Sequence, residues 1–209
     1  MPFGVEGVQS GLGLALSGGG FRATLFHCGA LCRLDELGFL ARLDRVSSVS
    51  GGSITAGVLA TRWSALRFEG DVAKNLRELV ILPLRAFCHR TVDVPAIGLG
   101  TLLPGRRPSD LLEAAYAEHL YDKTTLQDLP DRPRFVFNAT NLATGVSFRF
   151  SKPYAGDYRI GLIRNPTFPV ALAVTASSAF PPFLSPVVVK TDPAAFERVE
   201  GADLFDQVA

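Results

Sequence analysis

Ser50 stands in Val46-Ser47-Ser48-Val49-Ser50-Gly51-Gly52-Ser53, where a short β-branched run ends in a serine and two glycines. A serine hydroxyl alone is a poor nucleophile. It needs a base within hydrogen-bond reach and donors for the oxyanion that forms on attack. A tight strand-to-helix turn lifts the side chain clear of the backbone and leaves helix N-terminal amides aimed at it. Such a turn crowds any side chain, which is why glycines follow. Ser48-Val49-Ser50-Gly51-Gly52 has the form of the G-x-S-x-G nucleophile elbow, with Ser48 in place of the first glycine. The plainer reading is a serine that only caps a helix.

Gly18-Gly19-Gly20, after Leu14-Ala15-Leu16 and before Phe21-Arg22-Ala23, is the partner of that turn. Amides of a glycine loop ahead of a helix form a concave anion site, reinforced by the helix dipole. Arg22 falls in the first turn, where it orients the loop or adds positive charge. A tetrahedral oxyanion, a phosphate and a purely structural turn would all use this geometry, and pairing with Ser50 favours the oxyanion. The same residues fit G-x-G-x-x-A, the dinucleotide fingerprint, so an NAD(P)-type binding module is the alternative from another class. That alternative needs an acid at the end of the second strand. Ser50 is there instead, and Asp44 sits at the strand's other end.

These residues need strands and helices to hold them. Residues 11–16 read as a strand buried on both faces. Residues 22–37 carry Phe26, Ala30, Leu31, Leu34 and Leu37 at helical spacing, and Gly38 is a natural stop. Residues 43–49 are a second strand and 53–63 a second helix. This order predicts a parallel sheet covered by helices. Further on, a helix is expected within 66–84, and 95–104 is an apolar loop, read as a packed insertion or a lipid-facing lid. A helix capped by Ser109 or Asp110 should run to about 121. A capped turn at 124–129, a hairpin from 134–139 and 146–150, a helix at 168–178, a strand at 186–190 and helical pattern from 193 complete the chain.

Composition narrows the partners. The 209 residues carry a net charge of +1, with scattered Lys and Arg, which gives no electrostatic case for nucleic acid. Cys28, Cys32 and Cys88 argue against a disulfide framework, and Cys28 and Cys32, four apart, read as core residues rather than a metal pair. No leader and no run of ~20 apolar residues is evident, so the expectation is a cytoplasmic protein with at most peripheral membrane contact. The expected chemistry requires no metal and no organic cofactor. A triad with a late histidine is disfavoured, because His27 precedes Ser50 and no histidine follows His119. His27 and His119 read as packing or surface residues.

Taken together, the glycine triplet and the Ser50 turn resemble the patatin-like phospholipase family. Its members carry G-G-G-x-R/K-G, G-x-S-x-G and a later D-G-G/A. Ala176-Ser177-Ser178-Ala179-Phe180-Pro181-Pro182 resembles the family's A-S-x-A-x-P segment, so the likeness spans roughly 12–190. The resemblance implies a single domain over 1–209 with an α/β/α sandwich around a mainly parallel sheet. It also implies a Ser–Asp dyad that hydrolyses lipid acyl esters as a phospholipase A or lysophospholipase does. Carried onto this sequence, Ser50 is the nucleophile, Gly18, Gly19, Gly20 and Arg22 form the oxyanion region, and Ser48, Gly51 and Gly52 build the elbow. Ala23 replaces the motif's last glycine. No Asp-Gly-Gly or Asp-Gly-Ala occurs. Three expectations follow: the chain stops short of that motif; Glu200, in Glu200-Gly201-Ala202, replaces it; or Asp192, Asp203 or Asp206 serves. A non-catalytic lipid-binding domain of the same fold stays open.

Overall fold

A computed structural model describes residues 10–90, 107–180 and 185–198. The apolar 95–104 segment, Glu200, Asp203 and Asp206 lie outside them. β1 (Leu12–Leu16) leads through α1 (Gly20–Glu36) to β2 (Leu43–Ser48), and α2 (Gly51–Arg62) follows. A small ribbon pairs β3 (Phe68–Glu69) with β4 (Val72–Ala73). A π-helical turn at Arg77–Ile81 then opens α3 (Leu82–Arg90). After α4 (Pro108–Tyr116) come β5 (Arg134–Asn141), β6 (Val146–Ser151), β7 (Tyr154–Asp157), β8 (Gly161–Arg164) and α5 (Val170–Ser178).

Six strands form one mixed sheet in the order β1-β2-β5-β6-β7-β8. β1, β2 and β5 run parallel, because helical crossovers join them. From β5 to β8 the strands are antiparallel, because tight connections join them. The expected parallel character therefore belongs to the half that carries the Ser50 turn. Register places Leu14, Leu16, Val46, Ser48, Phe135 and Phe137 on one face. Parallel strands added in one direction put both crossover helices on the same side, and Trp63 beyond α2 meets Phe135 on this face at 6.2 Å between ring centroids. The third layer of an α/β/α sandwich falls outside what the described residues show. Gly51 to Ala60 of α2 are all buried, so this helix is central rather than amphipathic. No described helix is long and apolar enough to cross a membrane.

Several expectations are corrected. On α1 the buried residues are Thr24, His27, Cys28, Leu31 and Asp35. Phe26 is 72% exposed and Leu37 50% exposed. Polar groups claim the inner face because they have partners there: Asp35 accepts the Ala73 N–H at 2.8 Å. Cys28 is buried, and burial, reinforced by Cys88 and Cys32, pushes its thiol up to about 12. Residues 66–75 are a turn-and-ribbon rather than a helix. Asn75 holds it by accepting Arg67 N–H at 2.8 Å and donating to Ala65 O at 2.9 Å. The cap of α4 is Arg107, with Pro108 as first residue, while Asp110 reaches back to the Arg107 N–H. Residues 186–190 are not a strand. Among the described residues after them, only Pro193–Ala195 is helical, capped by Asp192. Glu197 instead exchanges backbone hydrogen bonds with Leu162. β7 and β8 had no counterpart in the sequence reading.

Candidate active site

Both glycine motifs lie at the C-terminal ends of neighbouring parallel strands, where α1 and α2 begin. Ser50 takes the N-cap position of α2 with φ 52° and ψ −120°. Its side chain makes no capping hydrogen bond, so the plain capping role does not use the hydroxyl. Left-handed φ in a residue with a β-carbon costs about 1–3 kcal/mol. The turn is over-determined around it. Val49 N–H is bound to Leu16 O at 3.1 Å, while Ser53 and Ile54 N–H converge on Ser50 O at 2.7 and 3.1 Å.

Close packing explains the two glycines that follow. A β-carbon on Gly52 would lie 2.6 Å from the carbonyl carbon of Leu16. One on Gly51 would lie 3.0 Å from the carbonyl carbon of Gly20, and closer still to its oxygen. The first glycine motif and the elbow therefore touch backbone to backbone. Thr24, fully buried, ties them by donating to Gly51 O at 3.0 Å.

Gly18 faces the serine: a β-carbon there would stand 3.3 Å from Ser50 Cβ. Gly19 (φ 134°, ψ 24°) caps α1, and Gly20 (φ 63°) opens it. Two helix N-termini thus converge beside one hydroxyl, which favours negative charge at that point. Arg22 is exposed in the first turn of α1. His27 is buried, and its Nε2 lies 2.9 Å from Ser17 O, so it braces the strand end just before the glycines. His119 is exposed, beside Phe87 with ring centroids 6.3 Å apart.

Ser50 opens into a groove of about 1010 Å³. Its walls come from the β5–β6 hairpin, the end of α5 and residues 186–191, with Phe148, Phe150, Phe180 and Val188 among the apolar lining. The described lining has no Asp, Glu, Lys, Arg or His. Asp192 is exposed and accepts the Ala194 N–H at 2.9 Å. Tyr116, beneath the end of α5, has its phenol pushed up to about 12 by burial, only partly offset by Ser178.

The sequence reading missed the hydrogen-bonded group behind the elbow. Ser48, Ser53, Ser177 and Asn138 meet there. Ser177 Oγ accepts the Ser50 N–H at 3.0 Å and donates to Asn138 O at 2.6 Å. Asn138 Nδ2 donates to Ser48 O at 3.0 Å and to Ser47 Oγ at 2.9 Å. The Ala176–Pro182 resemblance was the available signal, but it named no bond.

A glycine-rich turn beside a strand-to-helix turn that carries a serine, on parallel strands of an α/β sheet, is an arrangement suited to acyl transfer. Residues 14–202 match the family model described as patatin-like phospholipase, and the chain belongs to that family. Its α/β fold is the patatin-like one. Among solved structures the chain is similar to human GIVD cytosolic phospholipase A2. The likeness extends to that protein alone (19% identity, TM-score 0.46) and in complex with methyl gamma-linolenyl fluorophosphonate (19% identity, TM-score 0.47). These matches cover 80% and 79% of this chain but 28% of the other, so the chain spans less than a third of those proteins. No curated protein matches the sequence.

Proposed function

We propose that this chain is a serine lipid acyl hydrolase that works through an acyl-enzyme. Ser50 Oγ attacks the ester carbonyl carbon, and its proton passes to a carboxylate. The carbonyl oxygen becomes the oxyanion, held by amides of Gly18 to Gly20 and the start of α1, with Arg22 adding positive charge nearby. Collapse of the tetrahedral intermediate breaks the ester C–O bond, and the departing alcohol takes the proton back. Water then adds to the acyl-enzyme by the same route, releasing a fatty acid and restoring Ser50. Glu200 is the candidate base. The groove takes the acyl chain, and contact with a lipid surface is peripheral.

The observation that carries this reading is Ser50 itself. A side chain is held at φ 52° between two helix N-termini, facing a glycine, with its hydroxyl not spent on capping. A fluorophosphonate probe on the full chain, with the adduct located by mass spectrometry, tests it. A selective adduct at Ser50, absent in Ser50→Ala, is expected, and Glu200→Gln should slow its formation. A folded chain that stays unlabelled, yet is thermally stabilised by NAD or NADP, would overturn the hydrolase in favour of the dinucleotide module.

A further inference from the structure

We infer that Ser177 is a positioning residue that sets the aim of Ser50, by holding the Ser50 amide in the conformation that presents the hydroxyl. The inference rests on the reading of Ser50 as nucleophile. The Ser50 N–H belongs to neither regular element: β2 ends at Ser48 and α2 starts at Gly51. Its acceptor is the Ser177 hydroxyl oxygen at 3.0 Å.

Proton bookkeeping fixes the direction. A hydroxyl has one hydrogen and two lone pairs. The Ser177 hydrogen goes to Asn138 O at 2.6 Å, a carbonyl that can only accept. Ser177 is then left to accept the Ser50 N–H, and the Ser53 hydroxyl, whose one hydrogen goes to Ser48 Oγ, lies 2.8 Å away. Ser53 in turn sits 3.0 Å from Ser48 Oγ. One oxygen on α5 therefore joins the elbow, the first turn of α2 and the edge of β5. The N–H direction is coupled to φ, so relaxing Ser50 to an ordinary negative φ would swing its amide away from Ser177. The bond selects the strained conformer over the relaxed one. The neighbouring serine does something else: Ser178 Oγ donates back to Val174 O at 2.7 Å within its own helix.

The test uses the full chain as wild type, Ser177→Ala, Ser177→Thr and, as a control for damage to α5, Thr175→Val. Among the described residues, the Thr175 hydroxyl donates only within its own helix, to Ala171 O at 2.7 Å. Two readouts are taken together: hydrogen exchange of the Ser50 amide by NMR, and the rate of fluorophosphonate labelling with kcat and KM on a soluble p-nitrophenyl ester. Ser177→Ala should expose the Ser50 amide at least about tenfold and lower kcat and labelling roughly ten- to a hundredfold, as expected for a misplaced nucleophile, with KM nearly unchanged. Ser177→Thr keeps the oxygen and should restore both, and Thr175→Val should move neither. The inference is overturned if the wild-type Ser50 amide is unprotected, which is readable even if Ser177→Ala does not fold. It is also overturned if Ser177→Ala matches wild type, or if Thr175→Val does equal harm. If wild type is never labelled at Ser50, the nucleophile reading fails by itself, and amide exchange still decides what Ser177 holds.

Discussion

Two strand-to-helix turns meet at Ser50, one closing β1 and the other closing β2, and glycine serves a different purpose in each. In the first, Gly19 and Gly20 carry positive φ, at 134° and 63°. Space is not what Gly20 needs, since a β-carbon there would have nothing within 4 Å. In the second turn Gly51 and Gly52 lie inside a helix, and neither has positive φ. They are small because backbone passes where a side chain would be. The left-handed torsion falls instead on Ser50, the one residue of the turn with a hydroxyl to present. One turn places its unusual torsions where they cost nothing, and the other places its single unusual torsion on the side chain proposed to react. Rules of local propensity tend to be broken at functional sites and compensated by the surroundings. Here the compensation is the lattice of bonds from Leu16, Ser177 and the first turn of α2.

The largest expected effect is chemical. Ser50→Ala should reduce fluorophosphonate labelling and ester hydrolysis by at least about a thousandfold, the order seen when a nucleophile is removed. Residual turnover within tenfold of wild type would mean the second turn is not where the chemistry lies. Next come the glycines chosen for space. Gly52→Ala and Gly51→Ala should each destabilise by roughly 3 kcal/mol or more, at the upper end of overpacking costs, because backbone rather than a flexible side chain must yield. Denaturant unfolding checks this, and a loss below about 1 kcal/mol would break the distinction between the two turns.

The parts of the site legible in sequence were those written in local residue types. Glycines after apolar runs marked both turns, and β1, β2, α2 and the β5–β6 hairpin fell close to where periodicity put them. The inner face of α1 was not legible. Phe26 looked like core, yet Thr24, His27 and Asp35 face inward because Gly51 O, Ser17 O and Ala73 N–H await them. Partners 10 to 38 residues away do not register in a hydrophobic period. The same limit hid Ser177, whose bond to Ser50 spans 127 residues. β7 and β8 were missed because Gly156 and Gly161 sit inside them with positive φ, at 147° and 104°, and glycine reads as a turn when met in sequence.

A subtler substitution sharpens the comparison. Ser50→Gly should abolish labelling as fully as Ser50→Ala does, yet the two should differ in stability. Glycine relieves a torsional cost of about 1–3 kcal/mol, against roughly 0.5–1 kcal/mol of extra chain entropy lost on folding. The glycine variant is therefore expected to be about 1 kcal/mol more stable than the alanine variant, or roughly 2–4 °C in Tm for a chain of this size. Equal stabilities would mean that the Ser50 torsion stores no strain.

The smallest difference, between two variants of one glycine, probes the first turn. At Gly20, with φ 63° and open space around the missing β-carbon, only conformation should resist substitution. Gly20→Ala should then cost about 1–2 kcal/mol, the penalty of a left-handed torsion in an L-residue. Gly20→Asn should cost about half of that, because a short polar side chain tolerates the same region. The ordering matters more than the magnitudes. Asparagine is larger than alanine, so a steric constraint would make it worse, and a conformational one makes it better. Paired melts of the two variants decide between these. If asparagine proves the more damaging, the first turn is limited by space as the second is, and the contrast between the two disappears.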